Sequence, residues 1–201
     1  KKRRFNMIQT IDIDAAFAIR NKGFVRIMGG LILSLYNRDK ENFRKRVRVL
    51  LKMEQDPFDS FDFQLKLQQK YDFRAIYFVL MANYDKYDKN IPYQNKSFRD
   101  IVKLLADYAE VGIHTSYASN DNPELLKIEV ARLSELLNRE IHRSRQHFLR
   151  LEIPATYHNL LTLDIYHDYS MGFASQPGFR AGICDPFPFY DLDIEVETPL
   201  I

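Results

Sequence analysis

A single cysteine, Cys184, occurs in the 201 residues, so no disulfide can close within the chain. There is also no Cys/His cluster with the spacing of a structural zinc site. GxGxxG and P-loop patterns are absent, which removes the glycine cradle that nucleotide-binding α/β folds place after a strand. Charge of one sign is not in excess. Lys and Arg number 29 against 27 Asp and Glu, a formal net charge of +2, so composition makes no case for nucleic acid as a partner. No apolar run is long enough to cross a bilayer. The most apolar stretch, Phe24 to Tyr36, is too short and carries Arg26 and the Gly29–Gly30 pair. It can lie on a membrane surface or cover a neighbouring domain, but burial against its own fold is the expectation. Other membrane association would come only through segments outside this chain.

Hydrophobic residues make up 46% and charged residues 28%, the balance of one soluble domain over residues 1–201 with a full core. The 15 Phe and 12 Tyr suit stacking on sugars, although most of these rings belong in the core. The chain starts Lys-Lys-Arg-Arg without a methionine and stops at Thr-Pro-Leu-Ile in mid-pattern, so it reads as a fragment of a longer protein. The basic start reads as a solvated strand entry or the tail of a linker.

Phe5 to Asp14 reads as a buried strand ending in two acids, Asp12 and Asp14. Alternate residues of a strand share a face, so both carboxylates emerge together. Like charges that close repel unless a metal ion, an arginine or a shared proton compensates. Arg74 to Met81 is a near-continuous apolar run, the mark of a strand covered on both faces. Ala109 to His114 is a strand ending in histidine. Glu140 to Leu149 leads into another, with Arg145 and His147 near its end. Asp164 to Asp168 is a short one, and the last residues look like the start of one more. Between them lie a basic amphipathic helix from Asp39 to Glu54, a helix restarting at Asp56-Pro57 and running to about Tyr71, and a third from Phe98 to Tyr108. Asn122-Pro123-Glu124 opens a fourth, with Asn as cap, and Pro154 a fifth. Alternating strand and helix predicts a parallel α/β fold. Polar residues at several strand ends favour a barrel over a doubly wound sheet, which would need a glycine loop where this chain has acids.

In a barrel the strand-end residues Asp12, Asp14, His114, Arg145, His147 and Asp168 converge on one mouth. An acid with one or two neutral imidazoles can hold a divalent metal, commonly zinc, with a position left open for water. A second acid within reach of that water can act as general base, and an arginine can orient it.

Thr10-Ile-Asp-Ile-Asp14, His114-Thr-Ser-Tyr-Ala118, Arg145-Gln-His-Phe148, Asp168-Tyr-Ser170 and Gly178-Phe-Arg180 follow one another in an order that resembles the motifs of the polysaccharide deacetylase family, the NodB-homology domain. The likeness runs from Phe5 to Thr198 and is nearest to a bacterial subgroup with an extra upstream domain. It implies a distorted (β/α) barrel of fewer than eight repeats that removes acetyl groups from a polysaccharide or amino sugar. It also implies roles: Asp12 as the base activating a metal-bound water, Asp14 and His114 as metal ligands, Arg145 paired with Asp12, and Asp168 setting the base from the opposite rim. The chain departs from the pattern at Ala118, where the family has its second histidine. His147 is the candidate third ligand, ahead of Ser119 and Asn120. The family's final Leu-x-His motif, which supplies the general acid, does not occur before Ile201, and among the remaining histidines only His167 is near enough to consider. Two other readings stay open. One is a degenerate barrel that binds carbohydrate without turnover. The other is a related amide hydrolase acting on a small C–N substrate. The resemblance implies a bacterial protein, in the cytoplasm or at the envelope.

Overall fold

The computed structural model describes residues 7–201; the expected strand start at Phe5 and the basic run before it lie outside that range. Five strands form one parallel sheet: β1 (Gln9–Ile13), β2 (Ala75–Leu80), β3 (Glu110–Thr115), β4 (Arg143–Gln146) and β5 (His167–Asp168), neighbouring one another in chain order. The connections carry α1 (Phe24–Tyr36), α2 (Lys40–Leu50) and α3 (Phe61–Tyr71), then α4 (Lys96–Tyr108), α5 (Pro123–Leu137) and α6 (Ala155–Leu161). A short antiparallel pair follows, β6 (Tyr190–Asp191) and β7 (Val196–Glu197). Beside β5, Ile201 donates its N–H to the Tyr166 carbonyl and accepts from the Asp168 N–H, the alternation of a parallel ladder.

A strand order without reversal, joined by crossovers of one hand, lays the helices on one face. The core shows which face. It gathers Ile13, Tyr77, Val79, Val111 and Ile113 with Phe61, Phe98, Leu105, Leu133 and Leu160 from the helices. Residues of the other parity, Thr10, Asp12, Phe78, Gly112 and His114, belong to the opposite face. No strand order of the doubly wound kind occurs among the described residues.

The sheet curves enough for side chains to meet across its inner face. In a flat sheet β1 and β4, three spacings apart, would lie roughly 14 Å from each other. Yet Arg145 on β4 reaches Asp12 Oδ1 and Thr10 Oγ1 on β1, each at 2.9 Å. Gly112 makes room at the centre of the curve. A Cβ there would come within 2.8 Å of both the Phe78 ring and the Arg143 carbonyl.

The caps follow the sequence signals. Asn95 and Asn122 accept the Phe98 and Leu125 N–H groups, each at 3.1 Å, and Asp39 accepts that of Asn42 at 2.9 Å. Two expectations are corrected. The helix expected at Pro57 begins at Phe61, because the buried Asp56 is used elsewhere. Its carboxylate accepts the N–H groups of Ala18, Ile19, Arg20 and Phe58 and pins the loop after β1. Burial pushes its pKa up, but these four donors together hold it below its ordinary value. The second correction concerns α1, whose apolar face is exposed rather than packed on the sheet; Phe24, Val25 and Tyr36 are about four-fifths exposed at 78%, 82% and 83%.

Candidate functional site

The C-terminal ends of β1, β3 and β4 open into a cavity of about 470 Å³ lined by Asp12, Asp14, His114, Arg145 and His147 among others. Register explains the meeting: His114 is paired with Arg145 across β3 and β4, and with Leu80 across β3 and β2. Asp14 follows one residue after the paired Ile13.

His114 Nε2 lies 3.2 Å and His147 Nε2 3.8 Å from Asp14 Oδ1. One ligand atom from each of the three residues lies within 4.8 Å of the other two. The far ring nitrogens are committed. His114 Nδ1 is 2.8 Å from the Arg145 carbonyl, which can only accept, so the ring proton sits on Nδ1. His147 Nδ1 is 2.8 Å from Asp88 Oδ1, which also accepts the Tyr117 N–H at 3.0 Å. Both Nε2 lone pairs are thereby left facing Asp14. One carboxylate and two oriented imidazoles form a donor set that fits a divalent cation with a position to spare.

The other half of the cleft is built on Arg145. Its Nη1 holds Asp12, its Nη2 holds Thr10, its Nε donates to the Tyr169 carbonyl at 3.1 Å, and its guanidinium lies 4.7 Å from the centre of the Phe78 ring. Asp168 stands apart from this pair. It is opposite Ser144 in the register, on the pleat parity that faces away from Asp12. Its carboxylate accepts the Ser144 and Ser170 hydroxyls and the Ser170 N–H at 2.8–2.9 Å. Burial pushes its pKa up. Asp168 therefore shapes the turn that delivers the Tyr169 carbonyl to Arg145, and it is among the residues lining a separate apolar cavity of about 320 Å³.

Ala118 lies in a single 3-10 turn, and His147 from the end of β4 stands with Asp14 and His114. Ser119 is occupied with Ser116, and the Asn120 amide with Gln146, Arg150 and Thr156. His167 pairs with Arg143, a strand pair below Arg145, and lines the apolar cavity rather than the cleft. His142 bonds the Asp164 carbonyl, and His158 bonds Asp191.

Sequence reasoning missed Asp88. It sits 59 residues from His147 in a loop rich in Tyr, Asp, Lys and Asn, where nothing local separates it from Asp85. Behind it the buried Glu129 accepts the Ser116 N–H at 3.0 Å, its pKa raised by burial and by the charge of Asp88. An aromatic rim stands beside the imidazoles, with Tyr87 from the aromatic loop after β2 and partners from two other segments. Tyr87, Tyr117 and Phe148 pack together with ring centres 4.2–6.1 Å apart, and Phe148 touches the His147 ring. Phe148 and Leu149 both have left-handed backbone, φ 58° and 51°, a conformation costing of order 1–3 kcal/mol in a side-chain-bearing residue and concentrated at functional sites.

No family model matches the chain, and no curated protein does. Solved structures do. A candidate polysaccharide deacetylase from Mycobacterium smegmatis aligns at 13% identity over 82% of this chain and 50% of its own, with a TM-score of 0.50. BA3943, a CE4 family pseudoenzyme from Bacillus anthracis, aligns at 14% identity over 53% of this chain and 37% of its own, TM-score 0.42. The Streptococcus pyogenes deacetylase PplD aligns at 18% identity over 57% and 50%, TM-score 0.39. The chain thus spans half or less of the length of each of these proteins. At 13% identity the Mycobacterium likeness establishes a shared fold.

Proposed function

We propose that this chain, which has the fold of the polysaccharide deacetylases, is a metal-dependent hydrolase that removes acetyl groups from a carbohydrate. The observation that carries this reading is the convergence of the His114 and His147 Nε2 atoms on Asp14, in the same cleft as the Asp12–Arg145 pair. Asp14, His114 and His147 would hold the ion, and zinc suits one carboxylate and two imidazoles with an open position. When bound, it would polarise the acetyl carbonyl and acidify the attacking water.

Asp12 would take the proton from that water, and Arg145 would keep its carboxylate in one orientation. Asp168 would act through the turn it holds. Tyr87, Tyr117 and Phe148 offer ring faces on which the apolar face of a sugar ring can stack, which supports a saccharide over a small amide. The curvature that brings β1 within reach of β4 supports a barrel of fewer than eight repeats.

The test is acetate release from acetylated chito-oligosaccharides by protein loaded with zinc, cobalt or nickel. Release that depends on the metal and is lost in Asp12→Asn is expected. Saccharide binding without acetate release under any loading would replace this reading with recognition without catalysis.

A further inference from the structure

Eight of the thirteen residues of α1 are exposed, and none of the eight is charged. They recur at helical spacing: Phe24, Met28, Ile32 and Tyr36 form one row, with Val25, Gly29 and Leu33 beside it. Buried Ser34 and partly buried Ile27 and Leu31 lie on the opposite side of the helix. The one charged residue of α1, Arg26, is turned back into the protein, where it donates to the Lys89 and Asn90 carbonyls at 2.9 Å and lies over the Tyr84 ring. An uncharged face covering about half a helix is large for a surface that meets only water.

The second observation is charge segregation. Residues 20–54 hold ten Lys and Arg against three Asp and Glu, while the rest of the chain holds nineteen against twenty-four. The exposed side of α2, packed beside α1, presents Lys40, Arg44, Lys45 and Arg48 with one acid, Glu41. An apolar helix face next to a basic one fits a bilayer with anionic headgroups, which meets both surfaces at once. A second copy fits less well, because a two-fold contact through α1 would set one basic helix near its own copy.

We infer that the α1–α2 hairpin docks on an anionic lipid bilayer, with α1 lying in the interface and α2 against the headgroups. Arg26 links the hairpin to the loop that carries Asp88, at the C-terminal end of β2. This inference is independent of the proposed chemistry.

The test is flotation of the protein with phosphatidylcholine vesicles and with vesicles containing roughly 30% phosphatidylglycerol. Binding to the anionic vesicles is expected, about tenfold weaker on neutral vesicles or in high salt. The double variant Ile32→Asp/Leu33→Asp abolishes it at unchanged thermal stability. Arg44→Ala/Arg48→Ala lowers only the preference for anionic lipid. Protein left in the soluble fraction with both vesicle types overturns the inference. So does a concentration-dependent dimer, dissolved by the Ile32→Asp/Leu33→Asp variant, in protein that binds no vesicles.

Discussion

In the imidazole half of the cleft, His114 and His147 each spend one ring nitrogen on an acceptor, the Arg145 carbonyl and the Asp88 carboxylate. In the carboxylate half, Asp12 is held by one guanidinium, itself fixed by Thr10, the Tyr169 carbonyl and the Phe78 ring. The first half is tuned for the direction of lone pairs and is anchored in buried structure. The second is tuned for the placement of a charge at the edge of the cavity. Arg145 belongs to both, since its backbone orients His114 while its side chain holds Asp12. Holding a ligand and holding a base are thus separable tasks in one cleft, and substitutions can part them.

The largest expected effect falls on the carboxylate half. Asp12→Asn should lower turnover by about 10²–10⁴-fold while metal affinity stays within a few-fold of the unaltered protein. Parallel activity assays and metal titrations measure the split, and loss of metal binding in this variant would merge the two halves. Next comes the imidazole half. Asp88→Ala should weaken metal binding by about 10–100-fold, because His147 loses the partner that fixes its tautomer and ring orientation. Competition with a chromophoric chelator reads this directly.

Gly112→Ala tests the support that the halves share. The added methyl must displace the Phe78 ring or the Arg143 backbone, at a cost of about 1–3 kcal/mol. For a chain of this size that lowers Tm by about 2–4 °C per kcal/mol in a thermal melt. Because Phe78 underlies Arg145, turnover should fall more than metal affinity.

The smallest effect concerns Glu129, whose pKa is raised by burial and by Asp88. The folded protein keeps a proton that the unfolded chain has already released, so this residue makes stability fall as pH rises from the ordinary glutamate range through the folded value. Glu129→Gln should flatten that slope in melts taken at rising pH from the ordinary glutamate range upward.

Strand ends were legible in the sequence because apolar stretches give way to titratable residues at Asp12 and His114, and helix starts because Asn122 and Pro123 open a helix by local chemistry. What depends on distant contacts was not. Asp88 gains its meaning from a histidine 59 residues away. Asp168 looks like the other strand-end residues, yet a one-residue difference in pleat parity turns it from the mouth toward Ser144. The apolar pattern of α1 identifies a helix without saying whether its face meets the sheet or the outside, and here Asp56 and Arg26 fix the segments around it.

The central claim is that Asp14, His114 and His147 form one metal centre. Cobalt(II) titration followed by its visible absorption tests it most directly, in the unaltered protein and in His147→Ala. One equivalent with the intense bands of a four- or five-coordinate site, lost or strongly weakened in His147→Ala, is the predicted result. Cobalt binding of the same strength and spectrum in His147→Ala would contradict it.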